Sequence, residues 1–385
     1  MKVRLKELGT IFTGNTPSKK VDEYWSNRNI KFIKPDVIKD ELCVISSANE
    51  YISASAKNVS RIVPANSILV TCIGKIGRVG ITEEEVSFNQ QINAIVPNEA
   101  IIPKYLAYAI YANRKQLKAI ANAPVVPIIN KTQFSDFKIS ICESVEKQNK
   151  IVRTLDVISE IITHDKKKIE ALDELIKARF VEMFDDNFGE IVELGNVCDV
   201  RDGTHDSPKY HNAGYPLVTS KNICDGKIDF STCNLIQKED YVKINKRSKV
   251  DVGDVLMPMI GTVGNPIIVN TDKEFAIKNV ALIKFKDDSV ILNTFIKTLL
   301  ESDYFGRAVL SKTKGGTQKF ISLGDIRKLE FNLPPIELQH RFATFVAQID
   351  KSKFVLSNEL TMCDFYIRLI HDRVMHSRIN LRVAQ

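Results

Sequence analysis

Two stretches of the chain carry apolar residues at alternating spacings of four and three. In the first, Ile151, Leu155, Ile158, Ile162, Asp165, Ile169, Leu172, Ile176, Arg179 and Met183 fall in one row, and only Asp165 and Arg179 are polar. In the second, Phe342, Phe345, Ile349, Ser352, Leu356, Glu359, Cys363, Tyr366 and Ile370 do the same, broken by Ser352 and Glu359. Such a period is the seam of a coiled coil, so each stretch predicts a long helix. Pro334 and Pro335 end the preceding strand and Glu337 opens the second helix, as N-terminal signals do. Two seams of similar length in one chain pack most simply on each other. Up-down pairing makes the pseudo-symmetry twofold and sends the globular parts to opposite ends.

Ahead of each helix lies a region rich in Val, Ile, Thr, Gly and Pro, with short apolar runs such as "SILVTCIG" and "VALIKF". These predict mixed, strand-rich domains. Helices interrupt them at "PKYLAYAIYANRKQLKAI" (103–120) and "LNTFIKTLLESDYFGRAVL" (292–310).

The matching places reflect a repeat. Gly74 and Gly77 match Gly261 and Gly264, and Leu69, Ile73, Phe88 and Ala94 match Leu256, Ile260, Phe275 and Ala281, all 187 positions apart. Leu8 and Gly9 fall on Leu194 and Gly195 at 186, and Gln148 falls on Gln339 at 191. The chain is therefore one unit of about 190 residues written twice. The fold class is α+β, with an internal pseudo-twofold repeat and two strand-rich domains joined by two long helices packed as an antiparallel coiled coil. The expected divisions are 1–141 (first domain), 142–188 (central helical spacer), 189–333 (second domain) and 334–385 (second helical spacer).

The repeat also settles a near-motif. "ELGTIFTGNT" has the G-x-x-x-x-G of a phosphate-binding loop but places Asn15 and Thr16 where that loop needs Gly-Lys-Ser/Thr. Its counterpart "ELGNVCDVRDGT" keeps the Leu-Gly and the apolar alternation without the second glycine, so no phosphate cradle is being preserved. The segment reads as a strand running into a turn at Gly14 and Pro17.

With 385 residues, 44% hydrophobic and 26% charged, the chain can bury a substantial core in two or three domains. No run of about 18 apolar residues is present to span a bilayer, and the start lacks a signal-type apolar segment, so a membrane site is not expected. Seven scattered cysteines without a C-x-x-C pair argue against zinc or a disulfide framework and fit a reducing cytoplasm. A net charge of +7 is compatible with a polyanion partner.

Catalytic constellations are missing. The six histidines form no H-E-x-x-H, "NLPPIE" (332–337) lacks the aromatic of an amino-methyltransferase loop, and Pro35-Asp36 has no Glu-x-Lys downstream. What remains is polar and basic loop chemistry suited to phosphates and base edges, in "TGNTPSKK", "RDGTHDSPKYHNAGY", "TSKN" and "SKTKGGTQKF". Expected DNA contacts are Thr16, Lys19, Lys20, Lys34, Lys75 and Arg78 in the first domain, and Arg201, Lys209, Lys221, Lys314 and Lys319 in the second. Gln90, Gln91, Thr204, Asn265, Thr317 and Gln318 carry amides or hydroxyls able to read bases.

Architecture and motifs together resemble the specificity (S) subunit of type I restriction-modification systems, over nearly the whole chain. "LPPIELQHRFATFVAQIDK" resembles that family's Leu-Pro-Pro-x-x-x-Gln helix start, "IKARFVEMF" (176–184) the end of its central helix, and "DELCVISSANEYIS...RIVPANSILVTCIGKIGRVGI" its target recognition domain. The central copy departs by reading Cys142-Glu143-Ser144 where Leu-Pro-Pro is usual.

The resemblance implies a subunit without catalysis of its own. Each recognition domain reads one half of a bipartite, asymmetric duplex DNA target. The helices, about 60 Å each at about 1.5 Å per residue, act as a ruler. Ile151, Leu155, Ile158, Ile162, Ile169, Leu172, Ile176, Phe342, Ile349, Leu356 and Ile370 would form the coiled coil and the docking surface for two methyltransferase subunits, with nuclease and translocase (restriction) subunits joining. No cofactor is expected in this chain; S-adenosylmethionine, ATP and Mg2+ would belong to the partners. Two rival readings are a recognition subunit for a combined methyltransferase-nuclease polypeptide and, in a different class, a coiled-coil scaffold whose heads bind proteins.

Overall fold

A computed structural model describes residues 2–121, 126–184, 189–224, 226–260, 264–286, 290–308 and 321–375, with side chains of the last helix to residue 370. Lys314, Thr317, Gln318 and Lys319 lie outside the described residues, as does Gly261. By contacts the chain divides into Met1–Lys166 with Ser357–Gln385, and Lys167–Leu356, so each long helix contributes one segment to each unit.

In the first unit, strands Gly9–Thr13, Ile92–Pro97, Ile68–Thr71, Val79–Thr82 and Cys43–Ile45 form one sheet in that order. A second sheet runs Glu50–Ile52, Ile30–Ile33, Val86–Phe88, Ile62–Val63. Successive strand residues point to opposite faces, which explains why the run Ile68 to Val70 is buried throughout. Ile68 and Val70 enter the core shared with helix Pro103–Ala112, whereas Leu69 enters the core with Ile33 and Phe88. That helix is shorter than its sequence pattern, because the chain breaks at Asn113 and resumes as Arg114–Ala119.

The second unit builds the same frame. Cys198–Asp202, Val280–Phe285, Val255–Pro258 and Ile267–Ile268 form one sheet, and Asn234–Ile236, Tyr215–Val218 and Ala276–Ile277 another. Val255 and Met257 face one core while Leu256 faces the other. A short ladder closes each head, pairing Lys2–Arg4 with Lys138–Ser140 and Ile191–Glu193 with Glu330–Asn332.

The long helices are Val145–Phe184 and Ile336–Met375, 40 residues each. The Cys142-Glu143-Ser144 departure leaves the helix start in place: Gln148 and Gln339 both occupy the fourth helical position, fully buried. Gln148 accepts from the Ile102 amide (2.9 Å) and donates to the Cys142 carbonyl (2.8 Å). Gln339 accepts from the Leu292 amide (2.9 Å) and donates to the Val290 (3.0 Å) and Pro334 (2.9 Å) carbonyls. The same carboxamide thus pins each helix to the head before it.

The seam of the first helix is as the periodicity predicts: Ile151, Leu155, Ile158, Ile162, Asp165, Ile169, Leu172, Ile176, Arg179 and Met183 are buried or half-buried. In the second helix alternate positions need correction. Phe342, Ile349, Leu356, Cys363 and Ile370 face inward, but their companions are Val346, Lys353, Leu360 and Ile367. Ser352, Glu359 and Tyr366 are exposed, so the apparent polar breaks belong to the outside. Within the second unit the helix segments run antiparallel, with Phe180 against Phe342 (ring centroids 5.5 Å apart), Arg179 over Phe345 and Asp173 paired with Lys353. Within the first unit Asp165, 3% exposed, lies near Cys363, whose thiol is pushed up by burial and then by that carboxylate.

The repeat register also shifts. Leu5 and Leu194, both fully buried, each open a single helical turn between the first two strands, and their amides bond to Phe137 and Leu329 carbonyls. Equivalent positions there stand 189 apart, so Leu8 and Gly9 do not correspond to Leu194 and Gly195, and the second glycine does have a partner. Gly14 and Gly203 both follow the strand, donating to the Ile92 and Val280 carbonyls at 3.1 Å. Further along, Leu69 lies opposite Ala94 and Leu256 opposite Leu282. Ala94 therefore matches Leu282 rather than Ala281.

Candidate nucleic-acid interface

In each head two parallel strands end side by side, and their C-terminal ends gather the polar loops. In the first, Ile33 pairs with Phe88, and the Asn89 amide donates to the Ile33 carbonyl (3.1 Å). The loop after Gly14 lies across this end: the Asn15 amide donates to the Phe88 carbonyl (3.0 Å), and its side chain bridges the Val59 carbonyl (2.7 Å) and the Arg61 amide (2.6 Å). Thr16 then donates its hydroxyl to the Gln90 side-chain oxygen (2.8 Å), both residues exposed.

Charge surrounds this pair. Lys34 and Lys19 share Glu50, and the Lys34 hydrogen bond, helped by the charges of Lys34 and Lys19, holds the Glu50 carboxyl below the usual range against the opposing effect of burial. Lys19 also lies 5.2 Å from the Trp25 ring centre. Lys20 and Lys75 are exposed, and neither side chain bonds to another of the described residues. Gln91 is tied to Asn89, whose side chain donates to it (3.0 Å). Arg78 departs from the expectation of a phosphate contact. Its side chain is only 14% exposed, bonded to Asp40 (2.6 Å) and to the Pro35 and Ile38 carbonyls, so it braces a loop from inside.

In the second head the Lys278 amide donates to the Val218 carbonyl (2.9 Å) and the Thr204 amide to the Ile277 carbonyl (3.0 Å). Phe88 thus corresponds to Ile277, not Phe275. The turn that follows is one residue shorter than in the first head, and Asn279 closes it with φ +54°, a conformation asparagine tolerates better than most residues. His205 contacts the Asn279 side-chain oxygen through Nδ1 (2.8 Å) and Asp202 through Nε2 (2.7 Å), while Asp202 also holds Arg247. Lys278 donates to Ser207 (2.5 Å).

Of the residues expected here, Thr204 sits in the cluster through its backbone, and Lys209, Lys221 and Asn265 are exposed. Arg201 is occupied by Asp199 (2.5 Å) and the Arg247 carbonyl, and this pairing holds the Asp199 carboxyl low. His205, Lys278 and Asn279 were not expected as contacts. The signal that finds them is the 189-residue register, which places His205 on Thr16 and Asn279 on Gln90. Among the described residues no group of three or more His, Cys, Asp or Glu is placed to hold a metal ion. No helix is long and apolar enough to cross a membrane, among the described residues.

Two copies of one head, each with its own polar cluster and each pinned to a long helix, define the class of protein. The chain matches the type I restriction modification DNA specificity domain over residues 1–174 and again over 189–361, and belongs to that family. It is 26% identical over 380 residues to the type I restriction enzyme MjaIX specificity subunit of Methanocaldococcus jannaschii, spanning 89% of this chain and 85% of that one. A local match of 30% over 161 residues to the EcoR124I/EcoR124II specificity subunit of Escherichia coli covers 40% of this chain and 39% of that one. In fold it is similar to the type I restriction-modification S subunit of M. genitalium (13% identity, TM-score 0.54, 97% and 96% covered). It is also similar to a chain solved for complex assembly and conformational transition of the type I R-M system (17% identity, TM-score 0.58, 98% of each covered).

Proposed function

We propose that this chain is the DNA-specificity subunit of a type I restriction-modification complex, in which each head reads one half of a bipartite, asymmetric duplex target. The observation that carries the reading is that the backbone frame of the polar cluster is repeated while its side chains are not. Thr16 and Gln90 stand where His205 and Asn279 stand, and Lys34 with Glu50 has no like-charged equivalent at Thr219, which bonds instead to Asn222 (2.8 Å). A repeated frame with unlike side chains suits two unlike half-sites.

Of the seam residues named for partner docking, Ile151 packs on the core of the first head and Ile176 and Phe342 on that of the second, and the others are buried or half-buried, so docking falls to the outer faces. In the second unit these expose Leu175, Val181, Phe354 and Val355, and in the first Val157, Ile161, Met362 and Phe365. Apolar residues left exposed along a helix fit a protein partner, here the methyltransferase subunits. The heads contribute recognition, and methyl transfer and cleavage, with S-adenosylmethionine, ATP and Mg2+, fall to methyltransferase and restriction subunits in the cytoplasm.

The test is to map methylated bases in a host genome with and without this chain. The expected result is methylation at one asymmetric two-part motif with an unspecified spacer, lost when the chain is absent. Unchanged methylation would overturn the assignment.

A further inference from the structure

The two clusters can be aligned atom by atom along the backbone. Gly14 and Gly203 donate to the Ile92 and Val280 carbonyls, Asn15 and Thr204 to Phe88 and Ile277, and Asn89 and Lys278 to Ile33 and Val218, all between 2.9 and 3.1 Å. On this shared frame each head carries one carboxamide, Gln90 or Asn279, whose oxygen meets a side chain from the loop after the glycine at 2.8 Å. In the first head that side chain is a threonine hydroxyl and in the second a histidine ring, which is itself held by Asp202.

A carboxamide oxygen has two lone pairs and its nitrogen two protons. The Thr16 hydroxyl, or the His205 Nδ1–H when both ring nitrogens carry protons and Asp202 accepts at Nε2, donates to one lone pair. This fixes which end of the amide faces which way and leaves the second lone pair and the N–H groups to a ligand. Such an amide matches the major-groove edge of adenine, where it donates to N7 and accepts from N6.

We propose that Gln90 and Asn279 are the equivalent base-reading amides of the two heads, each directed at a purine edge, and that Thr16 and His205 are positioning residues that fix the orientation of those amides. The proposal rests on the DNA-reading function above. Asp202, 7% exposed and also bonded to Arg247, holds the imidazole from behind. In the first head the Asn15 side chain does the corresponding work on the Thr16 loop, through the Val59 carbonyl and the Arg61 amide.

The full chain, reconstituted with methyltransferase subunits, is used to select sites from a randomised duplex library. Q90A should lower discrimination at one base pair of one half-site by roughly 5- to 150-fold, the range for losing a bidentate base contact. N279A should do the same at one base pair of the other half. T16V and H205A should weaken discrimination at the same base pairs as Q90A and N279A respectively, by a larger factor than any loss of affinity for unrelated duplex, and T16S should restore it in the first head. A purely structural role would lower affinity for all sequences together. The proposal is overturned if variants with wild-type melting behaviour keep full discrimination, or if either amide substitution relaxes both halves. If the wild-type complex selects no two-part site, the DNA-reading function fails, and the proposal with it.

Discussion

A Cβ on Gly14 would lie 2.2 Å from the Asn89 carbonyl oxygen and 2.3 Å from that of Phe88, and one on Gly203 would lie 2.1 Å from the Ile277 oxygen. Both glycines let the loop cross the strand ends closely enough to set down Thr16 and His205. G14A and G203A should each destabilise the unit concerned by about 1–3 kcal/mol, as overpacking does, which thermal unfolding of the full chain would show. A melting curve unchanged in both would mean that the loop can retreat. Gly14 stands out in the sequence as the second glycine of a phosphate-loop pattern, but its steric reason does not. Thr16 and Gln90 are 74 residues apart, and no local spacing announces that a ladder brings their side chains to 2.8 Å. Arg78 illustrates the opposite difficulty: a basic residue in a turn looks solvated, whereas Asp40 and two carbonyls enclose it.

At the scale of elements, both long helices and the strand-rich heads are legible in the sequence, because apolar period is a direct record of burial. Ambiguity enters where two apolar residues are adjacent. Phe345 and Val346 both fit a heptad row, and choosing Phe345 places Ser352 and Glu359 in the seam; the structure uses Val346 and carries Lys353 inward, where Asp173 receives it. Likewise Leu5 and Leu8 each resemble Leu194, and only the strand ladders show that Leu5 is its equivalent. Gln148 and Gln339 match as a repeat pair, and their function becomes clear only from the three backbone groups that meet Gln339 and the two that meet Gln148. Removing either side chain leaves buried amide and carbonyl groups unpaired, at about 1–3 kcal/mol for each group. Q148A should therefore loosen the first head from its helix and Q339A the second, read as faster amide hydrogen exchange at Ile102 or Leu292. Equal exchange in variant and wild type would assign the junction to apolar packing instead.

At the scale of the whole molecule the doubling of the chain is the main fact, and the glycine and glutamine pairs of the sequence are enough to reveal it. Its consequence is that each head should act as an exchangeable reader. The most direct measurement replaces residues 189–333 by a copy of residues 1–141, reconstitutes the complex with its methyltransferase subunits, and sequences the sites that become methylated beside those of the wild-type complex. The half-site read by the first head should survive, and a second copy of it should replace the other half. A target in which both halves change together, or in which neither changes, would contradict the two-reader assignment.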